Sequence, residues 1–256
     1  MDLTNEIQNK FHHLSQYLAA FSNSFLPKRE DDSQSALLWS ISNSALQSQK
    51  VERIFLELSY QDFFLRIYNG KDFKELDLLG LTKSGIDSWI RETISDFGLP
   101  ASNFHYNLGF QLNTDFDTFV AIDNDDEKII LKLIEDRNIA QKILEELKKE
   151  FKTTSTVYVW PHHFDTGLLL YTNETRKKGY SLGYSKADNK VCDQPYYYAQ
   201  AFSDKQIDYT NLEQLTTGQW VFGQWQGAII PTDRPYDTKT IEEFYRAFIA
   251  LIKPRF

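Results

Sequence analysis

Apolar residues recur at spacings of three and four along four stretches of the chain, and this spacing predicts amphipathic helices. The first helix is predicted over residues 3–22 and is closed by the polar stretch that begins at Pro27. The second is predicted over residues 83–97. It stops at Gly98 and Pro100, because glycine readily adopts the conformation that ends a helix and proline cannot continue one.

The third and fourth predicted helices lie in the C-terminal half. The third follows the acidic run 123–127 and ends near Lys149, so its charges complement the helix dipole at both ends. The acidic run also resembles a calcium loop, but its sixth position, where such loops need glycine, is Lys128. We therefore favour a helix start. The fourth helix is predicted to begin at a cap formed by Asp237 or Thr238.

Alternating apolar and polar residues, rich in aromatic and β-branched types, predict strands in two blocks. The first block contains four predicted strands, at residues 36–41, 53–58, 63–68 and 73–78. The second contains six, at residues 156–160, 166–171, 180–184, 196–201, 219–222 and 224–230. Within the first block, Asn69 and Gly70 predict a two-residue hairpin turn.

The order of these elements predicts an α+β fold, with antiparallel sheets and helices packed on one side. Strands do not alternate regularly with crossover helices, which argues against a doubly wound parallel sheet. Each half of the chain has strands followed by a helix, so two similar halves are an open alternative. We expect a single compact domain over residues 1–256, or two packed lobes at about 1–122 and 123–256.

Composition narrows the classes of partner and compartment. The net charge of −8 argues against a nucleic-acid partner, which needs a basic face. No apolar run approaches the roughly 18 residues that span a membrane, so we expect no membrane partner. Cys192 is the single cysteine, which excludes an internal disulfide and favours a reducing, cytoplasmic location. Its neighbour Asp193 disfavours a reactive thiolate. The oligomeric state stays open.

The second strand block contains four segments with a distinctive order of residues. Residues 157–165, Val-Tyr-Val-Trp-Pro-His-His-Phe-Asp, resemble the aromatic-rich strand, ending in Trp-x-x-x-Phe-Asp or a near variant, of an uncharacterised bacterial family of unknown function. Residues 181–185, 194–198 and 228–231 resemble its Ser-x-Gly-aromatic turn, its Pro-x-aromatic-Tyr strand and its apolar-Pro segment before a final helix. The chain lacks the family's Gly-rich turn after Tyr184 and its Pro-rich strand ends. The resemblance implies a fold and no activity.

A G-x-S-x-G match at residues 179–183 suggests a serine hydrolase, but its context does not fit. A nucleophile elbow needs an apolar strand before the serine and a helix after it, whereas the polar residues 175–178 precede the match and the mostly polar residues 185–189 follow it. The catalytic histidine of that fold follows the serine, and no histidine occurs after His163. We interpret the two glycines as sites of close packing within a strand.

His162, His163 and Asp165 suggest a metal site, since imidazole and carboxylate are common ligands. Neighbours on a strand point to opposite faces, so only His163 and Asp165 would share one. A third ligand would have to come from elsewhere, such as His105, Asp115 or Asp117. We therefore expect neither a metal nor another cofactor. His12 and His13 lie on the first predicted helix, where we expect solvent-facing or interfacial positions.

Aromatic residues concentrate in the second strand block and predict either a ligand cleft or a closed core. The candidate ligand-binding residues are Trp160, His163, Asp165, Tyr196, Tyr198 and Trp225. Trp220 and Phe222 lie in the same block beside a glycine. The favoured function is binding of a small ligand or a protein partner through an aromatic-lined cleft. The alternatives are a hydrolase that uses the His163 and Asp165 region and a purely structural interaction protein.

Asp165 is the strongest single candidate, because it ends a run of aromatic and β-branched residues at the rim of the predicted core. A carboxylate in that position must be hydrogen-bonded or paired with a cation, because burying an uncompensated charge is unfavourable in free energy. Two roles remain open for it. Asp165 either stabilises the turn into the next strand or awaits a ligand at an open cleft.

Overall fold

The computed structural model of the protein describes residues 3–112, 124–209 and 211–256. Its described residues form four α-helices and two antiparallel sheets, which confirms the predicted α+β fold. The possible metal ligands Asp115 and Asp117, and the first residue of the acidic run 123–127, lie outside the described residues. None of the described helices is both long and apolar enough to cross a membrane.

Contacts along the chain define two compact units. The first comprises Met1–Ile134 and Val159–Phe164, and the second comprises Glu135–Tyr158 and Asp165–Phe256. The division therefore falls inside the third helix, whereas the sequence placed a lobe boundary before that helix, at about residue 122. Each unit has its own sheet and its own buried apolar cluster.

The first unit is a five-stranded meander with helices. Its helices are α1 (Leu3–Phe25) and α2 (Lys83–Asp96). Its strands are β1 (Leu38–Ser40), β2 (Ala45–Gln47), β3 (Ile54–Ser59), β4 (Phe64–Asn69) and β5 (Asp72–Asp77), and they pair in chain order. The short strand β2 had no counterpart in the prediction. Three residues carry too little periodicity to identify a strand.

The hairpin between β4 and β5 occurs as predicted, but its turn lies one residue further along. Asn69 pairs with Asp72 as the last rung of the ladder, so Gly70 and Lys71 form the turn. Gly70 has a φ of 70°, in the left-handed region that glycine enters without steric cost. The glycine therefore identified the turn, while the asparagine belongs to the strand.

The core of the first unit lies between α1, α2 and one face of the sheet. Phe11 of α1 stacks on Tyr60 with ring centroids 3.8 Å apart, and Leu18 and Phe21 are fully buried beside them. Each fully buried side chain of this kind contributes about 1.5–3 kcal/mol. Thr82 caps α2, and its hydroxyl accepts a hydrogen bond from the amide of Gly85.

His12 is not at the surface, so the expectation of a solvent-facing or interfacial side chain is wrong. Its side chain is 2% exposed, and its Nε2 lies 2.8 Å from the carbonyl oxygen of Pro161. The imidazole also stacks on Phe164, with centroids 4.8 Å apart. A contact across 149 residues of chain leaves no local signal in the sequence.

The second unit contains most of α3 (Asn124–Glu150), whose first residues belong to the first unit, and all of α4 (Thr238–Ile252). The longer strands of its sheet are β8 (Asp165–Tyr171), β9 (Gly179–Ser185), β10 (Tyr196–Phe202) and β12 (Gly227–Pro231). The shorter ones are β6 (Thr153–Thr154) and β11 (Gln219–Val221). The strand β7 (Tyr158–Trp160) begins at the last residue of the Glu135–Tyr158 segment of the second unit, and its other two residues belong to the first unit. The main path of the sheet runs β11-β12-β10-β9-β8-β6.

Alternate residues of these strands face α3 and α4. The buried cluster takes Leu168 and Leu170 from β8, Leu182 and Tyr184 from β9, and Tyr197 from β10. The helices cover this face with apolar side chains such as those of Leu144 and Phe248. Asp237 caps α4, with its Oδ1 2.7 Å from the amide nitrogen of Thr240.

Polar anchors fix the helices to the second sheet. The Tyr245 hydroxyl donates to the carbonyl oxygen of Gly183 at 2.8 Å. Arg137, which is 1% exposed, donates from Nη1 to the hydroxyl oxygen of Thr166 at 2.7 Å. Its guanidinium also lies 5.7 Å from the Tyr184 ring centroid. Buried polar groups must find partners, so these bonds specify how each helix sits on the strands.

The predicted strand that was to continue through residue 165 ends early. β7 stops at Trp160, and β8 begins at Asp165. A turn separates them, in which Phe164 has a φ of 62°. His163 and Asp165 therefore do not share the face of one strand, and this part of the prediction is wrong. The alternation of aromatic and smaller residues does not reveal where β7 ends, because the turn residue Phe164 adopts a conformation typical of glycine.

Candidate functional site

The six predicted site residues fall in both units. Trp160 and His163 belong to the first, and the second contains Asp165, Tyr196, Tyr198 and Trp225. In the first unit, the His162 ring lies 6.0 Å from the Trp160 ring and 4.3 Å from the His163 ring. The neighbouring histidines lie in the turn rather than on a strand, so they are side by side.

Three of the predicted residues come together on the second sheet. The Tyr198 hydroxyl donates to Oδ2 of Asp165 at 2.6 Å, and the Tyr196 and Tyr198 rings are 6.4 Å apart. Tyr196 in turn donates to Oδ2 of Asp188 at 2.5 Å. Asp165 is 8% exposed, so this carboxylate is buried and hydrogen-bonded, as its position in the sequence predicted.

Burial dominates the electrostatics of this cluster. It raises the pKa of Tyr198 well above the usual tyrosine value, and the charge of Asp165 raises that pKa further. The pKa of Tyr196 is also raised, first by burial and then by its hydrogen bond to Asp188. A phenol that holds its proton this firmly is a stable hydrogen-bond donor. It is poorly suited to work as an acid near neutral pH.

Gly183 makes the Tyr198–Asp165 bond possible. Tyr198 lies on β10 and Asp165 starts β8, with β9 between these strands. A Cβ on Gly183 would lie 2.6 Å from the Tyr198 hydroxyl and closer still to the carbonyl oxygen of Thr166. Only a residue without a side chain lets the tyrosine cross β9. The glycine of the G-x-S-x-G match therefore has a packing role, as its context suggested.

Ser181 lies in the middle of β9, where it pairs with Leu169 and Gln200. A serine nucleophile of the elbow type sits on a sharp turn between a strand and a helix. The arrangement is absent at Ser181, which agrees with the sequence interpretation.

The remaining candidates are a metal site and the thiol of Cys192. Among residues 3–112, 124–209 and 211–256, no three His, Cys, Asp or Glu side chains gather as a metal site would require. The pKa of the Cys192 thiol is raised, mainly by burial and further by the charges of Asp193, Asp188 and Asp233. The thiolate is thus disfavoured, as the acidic neighbour in the sequence predicted.

An aromatic group in the second unit borders a cleft of about 610 Å³. The walls of the cleft carry the rings of Tyr209 and Phe222. Phe222 is 56% exposed and nearly parallel to Trp220, at an interplanar angle of 15° and a centroid distance of 6.5 Å. Tyr209 meets both rings edge-on, 6.4 Å from Trp220 and 6.3 Å from Phe222.

Trp220 joins this group to the core. Its ring lies 5.6 Å from Phe248 of α4, and its indole nitrogen donates to the carbonyl oxygen of Glu213 at 3.0 Å. It also occupies β11, paired with Ala228 of β12. These contacts fix the position of the indole, and the exposed Phe222 ring lies beside it.

Polar side chains complete the cleft. Gln206, Asp208 and Gln226 line it together with the two rings and Ile207. Each glutamine amide offers two donor hydrogens and one acceptor oxygen, and the carboxylate offers acceptors only. The cleft therefore combines ring faces with hydrogen-bonding groups that can both donate and accept.

Sequence reasoning identified only part of this cleft. The sequence indicated Trp220 and Phe222 by their place beside a glycine, and Trp225 is one of the six predicted site residues. Trp225 lies in the loop before β12, where its ring covers Gly227. Tyr209 and Gln206 were missed, because they lie in an irregular loop whose residues show no periodicity. Clustered glutamines between aromatic residues were the one available signal.

No family model, no curated protein and no solved structure matches the chain.

Proposed function

We propose that the second unit binds a neutral saccharide in the cleft formed by Tyr209, Phe222 and the polar side chains around them. The observation that carries this proposal is the exposed ring of Phe222, held parallel to the anchored indole of Trp220 at the mouth of the cleft. Large exposed aromatic side chains commonly mark binding surfaces in proteins. The cleft volume of about 610 Å³ lies within the range of ligand sites.

The chemistry of a sugar matches these walls. A pyranose ring has one face of C–H groups, which are weakly positive, and an aromatic face is negative. The rim of the sugar carries hydroxyls, each of which both donates and accepts. Gln206 and Gln226 can satisfy both roles, and Asp208 can accept. Amide side chains do this without charge, which suits a ligand that has none.

Charge favours a neutral sugar over an acidic one. Asp208 lines the cleft, and the chain has a net charge of −8. A carboxylated or phosphorylated sugar would meet repulsion from both. A neutral sugar is not repelled by these charges, and its hydroxyls can donate hydrogen bonds to the carboxylate of Asp208.

Isothermal titration calorimetry with maltotetraose, cellotetraose and chitotetraose tests the proposal, since these neutral probes differ in linkage and substituents. We expect saturable binding of at least one probe. Phe222→Ala should then weaken that binding about tenfold, equivalent to about 1.4 kcal/mol. The matched control is Phe73→Ala, which removes a ring of similar exposure, 52%, from β5 of the first unit. The control should bind as the parent does.

Two results would overturn the proposal. One is the absence of binding by all three probes at millimolar concentration. The other is equal affinity of the parent and the Phe222→Ala variant. Because Phe222 is mostly exposed, its removal should leave the fold intact, and circular dichroism checks this directly.

A further inference from the structure

One wall of the saccharide cleft is a loop that follows β10. Four of its residues line the cleft, namely Gln206, Ile207, Asp208 and Tyr209. No helix or strand includes residues 203–209 or 211–218. The ladder of backbone hydrogen bonds that fixes the side chains of a strand is therefore absent from these residues. Such a segment opens easily unless other contacts hold it.

Apolar contacts hold this loop against the second unit. Ile207, Tyr209, Leu212 and Leu215 pack against the buried cluster of the unit. Contacts of this kind are non-directional, because the hydrophobic effect depends on the area that is removed from water. They keep the loop on the protein, but they do not by themselves fix the direction in which its side chains face the cleft.

Arg255 supplies directional contacts to the same loop. It lies in the short 3₁₀ helix Lys253–Arg255 that follows α4. Its Nη1 donates to the carbonyl oxygen of Asp208 at 3.0 Å, and its Nη2 donates to that of Asn211 at 3.3 Å. The two acceptors lie on either side of Tyr209 in the chain. The planar guanidinium presents its N–H groups in a fixed arrangement, so it holds both carbonyls at once.

The backbone of Arg255 is itself fixed to the second sheet. Ile252, which precedes the short helix, is fully buried in the core. Phe256 follows Arg255, and its ring meets that of Tyr180 on β9 edge-on, with centroids 5.3 Å apart. The Lys178 Nζ lies 5.3 Å from the centre of the same Phe256 ring. Buried or packed neighbours on both sides therefore define the position from which Arg255 donates.

The contact with Asp208 connects Arg255 to the cleft. The carbonyl oxygen of Asp208 accepts from Arg255, and the side chain of the same residue lines the cleft. Tyr209 comes next in the chain, and its ring packs edge-on against Trp220 and Phe222. A shift of this backbone would therefore move a hydrogen-bonding side chain and an aromatic wall of the cleft together.

We propose that Arg255 is the positioning residue of the saccharide cleft, and that it holds the backbone on both sides of Tyr209 in place before a sugar binds. This inference rests on the proposed sugar binding. Arg255 is not among the described residues that line the cleft, so it acts through the loop and not on the ligand. Ordering a loop during binding costs free energy, and a loop that is ordered in advance gives a higher affinity.

Limited proteolysis of the ligand-free full chain tests the positioning without any sugar. Chymotrypsin should cleave after Tyr209 about tenfold faster in Arg255→Ala than in the parent, because cleavage requires local opening of the loop. Arg255→Lys should give an intermediate rate, since it keeps the charge but replaces the planar fork with a single ammonium group. Mass spectrometry of the fragments identifies the cleavage site.

Lys253→Ala is the matched control for these variants. Lys253 is an exposed cation in the same short helix, and it donates to no carbonyl of this loop among the described residues. Its removal changes the net charge as Arg255→Ala does. Neither substitution adds or removes an aromatic residue, so the preferred cleavage sites of chymotrypsin stay the same. The Lys253→Ala variant should be cleaved after Tyr209 at the rate of the parent.

Sugar affinity provides the second measurement, by calorimetric titration with whichever of maltotetraose, cellotetraose and chitotetraose binds the parent. Arg255→Ala should weaken binding about tenfold, equivalent to about 1.4 kcal/mol, and Lys253→Ala should leave it unchanged. Double-mutant cycles show whether Arg255 acts through the loop. The loss caused by Arg255→Ala should be smaller in a Tyr209→Ala background, because part of the wall is already missing. It should stay complete in a Phe222→Ala background, because Phe222 lies outside the loop.

Equal rates of cleavage after Tyr209 in the parent and in Arg255→Ala would overturn the proposal, and so would equal sugar affinities. A loss of affinity that is the same with and without Tyr209 would also overturn it, because Arg255 would then not act through the loop. If Arg255→Ala does not fold, as judged by circular dichroism, Arg255→Lys takes its place in each comparison. If no tetrasaccharide binds the parent, the proposed function fails, and the cleavage rates alone decide whether Arg255 holds the loop.

Discussion

Both units contain a tyrosine that donates to a carboxylate, and the two pairs differ in their surroundings. In the first unit Tyr106 donates to Asp87 at 2.7 Å, and the tyrosine is 41% exposed beside a cavity. In the second unit Tyr198 donates to Asp165 at 2.6 Å, and this carboxylate is 8% exposed. The bonds are nearly identical in length. Their contributions to stability should differ, because water competes for the first and is excluded from the second.

The comparison shows that a hydrogen bond between two residues does not reveal its role. The Tyr198–Asp165 bond spans three strands and depends on a glycine in the middle one, so it links distant parts of a sheet. The Tyr106–Asp87 bond fixes a carboxylate at the wall of a cavity, between residues 19 apart. The first is suited to holding a fold together and the second to presenting an acceptor.

The largest effect is expected for Gly183→Ala, which disturbs the buried Tyr198–Asp165 pair because Gly183 lies against the Tyr198 side chain. The new methyl group would overlap the Tyr198 hydroxyl and the backbone of Thr166. We expect a loss of about 3 kcal/mol in the free energy of unfolding, measured by urea denaturation. Gly85→Ala is the control, since a Cβ there meets only ordinary contacts and alanine favours the helix α2. A Gly183→Ala variant as stable as the parent would contradict the crossing of Tyr198 over β9.

The second-largest expected effect is the difference in stability between the Tyr198→Phe and Tyr106→Phe variants. Tyr198→Phe removes the donor to a buried carboxylate and should cost about 1.5–3 kcal/mol. Tyr106→Phe removes the equivalent donor at an exposed position and should change stability by no more than about 0.5 kcal/mol. Parallel urea denaturation of both variants measures the difference. Equal losses would mean that exposure does not distinguish the pairs.

Asp165→Asn tests the buried pair from the carboxylate side. An asparagine can still accept from Tyr198, but without charge, so we expect a loss of about 1 kcal/mol. Thermal denaturation should show a lower melting temperature than that of Glu174→Gln, which neutralises an exposed charge in the same unit. An unchanged or raised melting temperature would instead indicate a carboxylate held ready for a ligand, since substitution relieves the strain of such sites.

The smallest effect concerns a tyrosine on the opposite face of β9. Tyr180 is 1% exposed, its hydroxyl has no partner among the described residues, and burial raises its pKa to about 12. A folded-state pKa above the unfolded value of 10 leaves stability intact below pH 10. Stability then falls as the pH rises towards 12. Tyr180→Phe should be nearly neutral at pH 7, because it removes an unsatisfied polar atom.

The measurement for this prediction is the free energy of unfolding between pH 9 and 12, the range that brackets the titration. The slope should be shallower in Tyr180→Phe than in the parent. An unchanged slope in Tyr180→Phe would contradict the prediction, because it would show that this phenol has the same pKa in the folded and unfolded states.

Most elements of the fold could be predicted from the sequence. The helix predicted over residues 3–22 is observed as Leu3–Phe25, and that over 83–97 as Lys83–Asp96. Helices and the longer strands repeat a local pattern, so ten residues suffice to recognise them. The short strands β2 and β6 and the turn at Phe164 were not recognised, because each involves too few residues to establish a period.

The candidate site could be predicted only in part. Asp165 and Tyr198 were both named, but neither spacing nor composition indicated that they bond to each other across β9. Tyr209 and Gln206 escaped prediction, because an irregular loop places them beside Phe222.

The sequence by itself determined the helices and the longer strands, the α+β class and the concentration of aromatic residues, because these follow from local periodicity and composition. Only the tertiary structure decided which of those residues became core and which became exposed walls. Tyr198 and Phe222 belong to the same aromatic-rich block, yet one crosses a glycine to a buried carboxylate and the other faces solvent. The physical reason is that burial depends on strand pairing and loop placement, which join residues far apart in the chain.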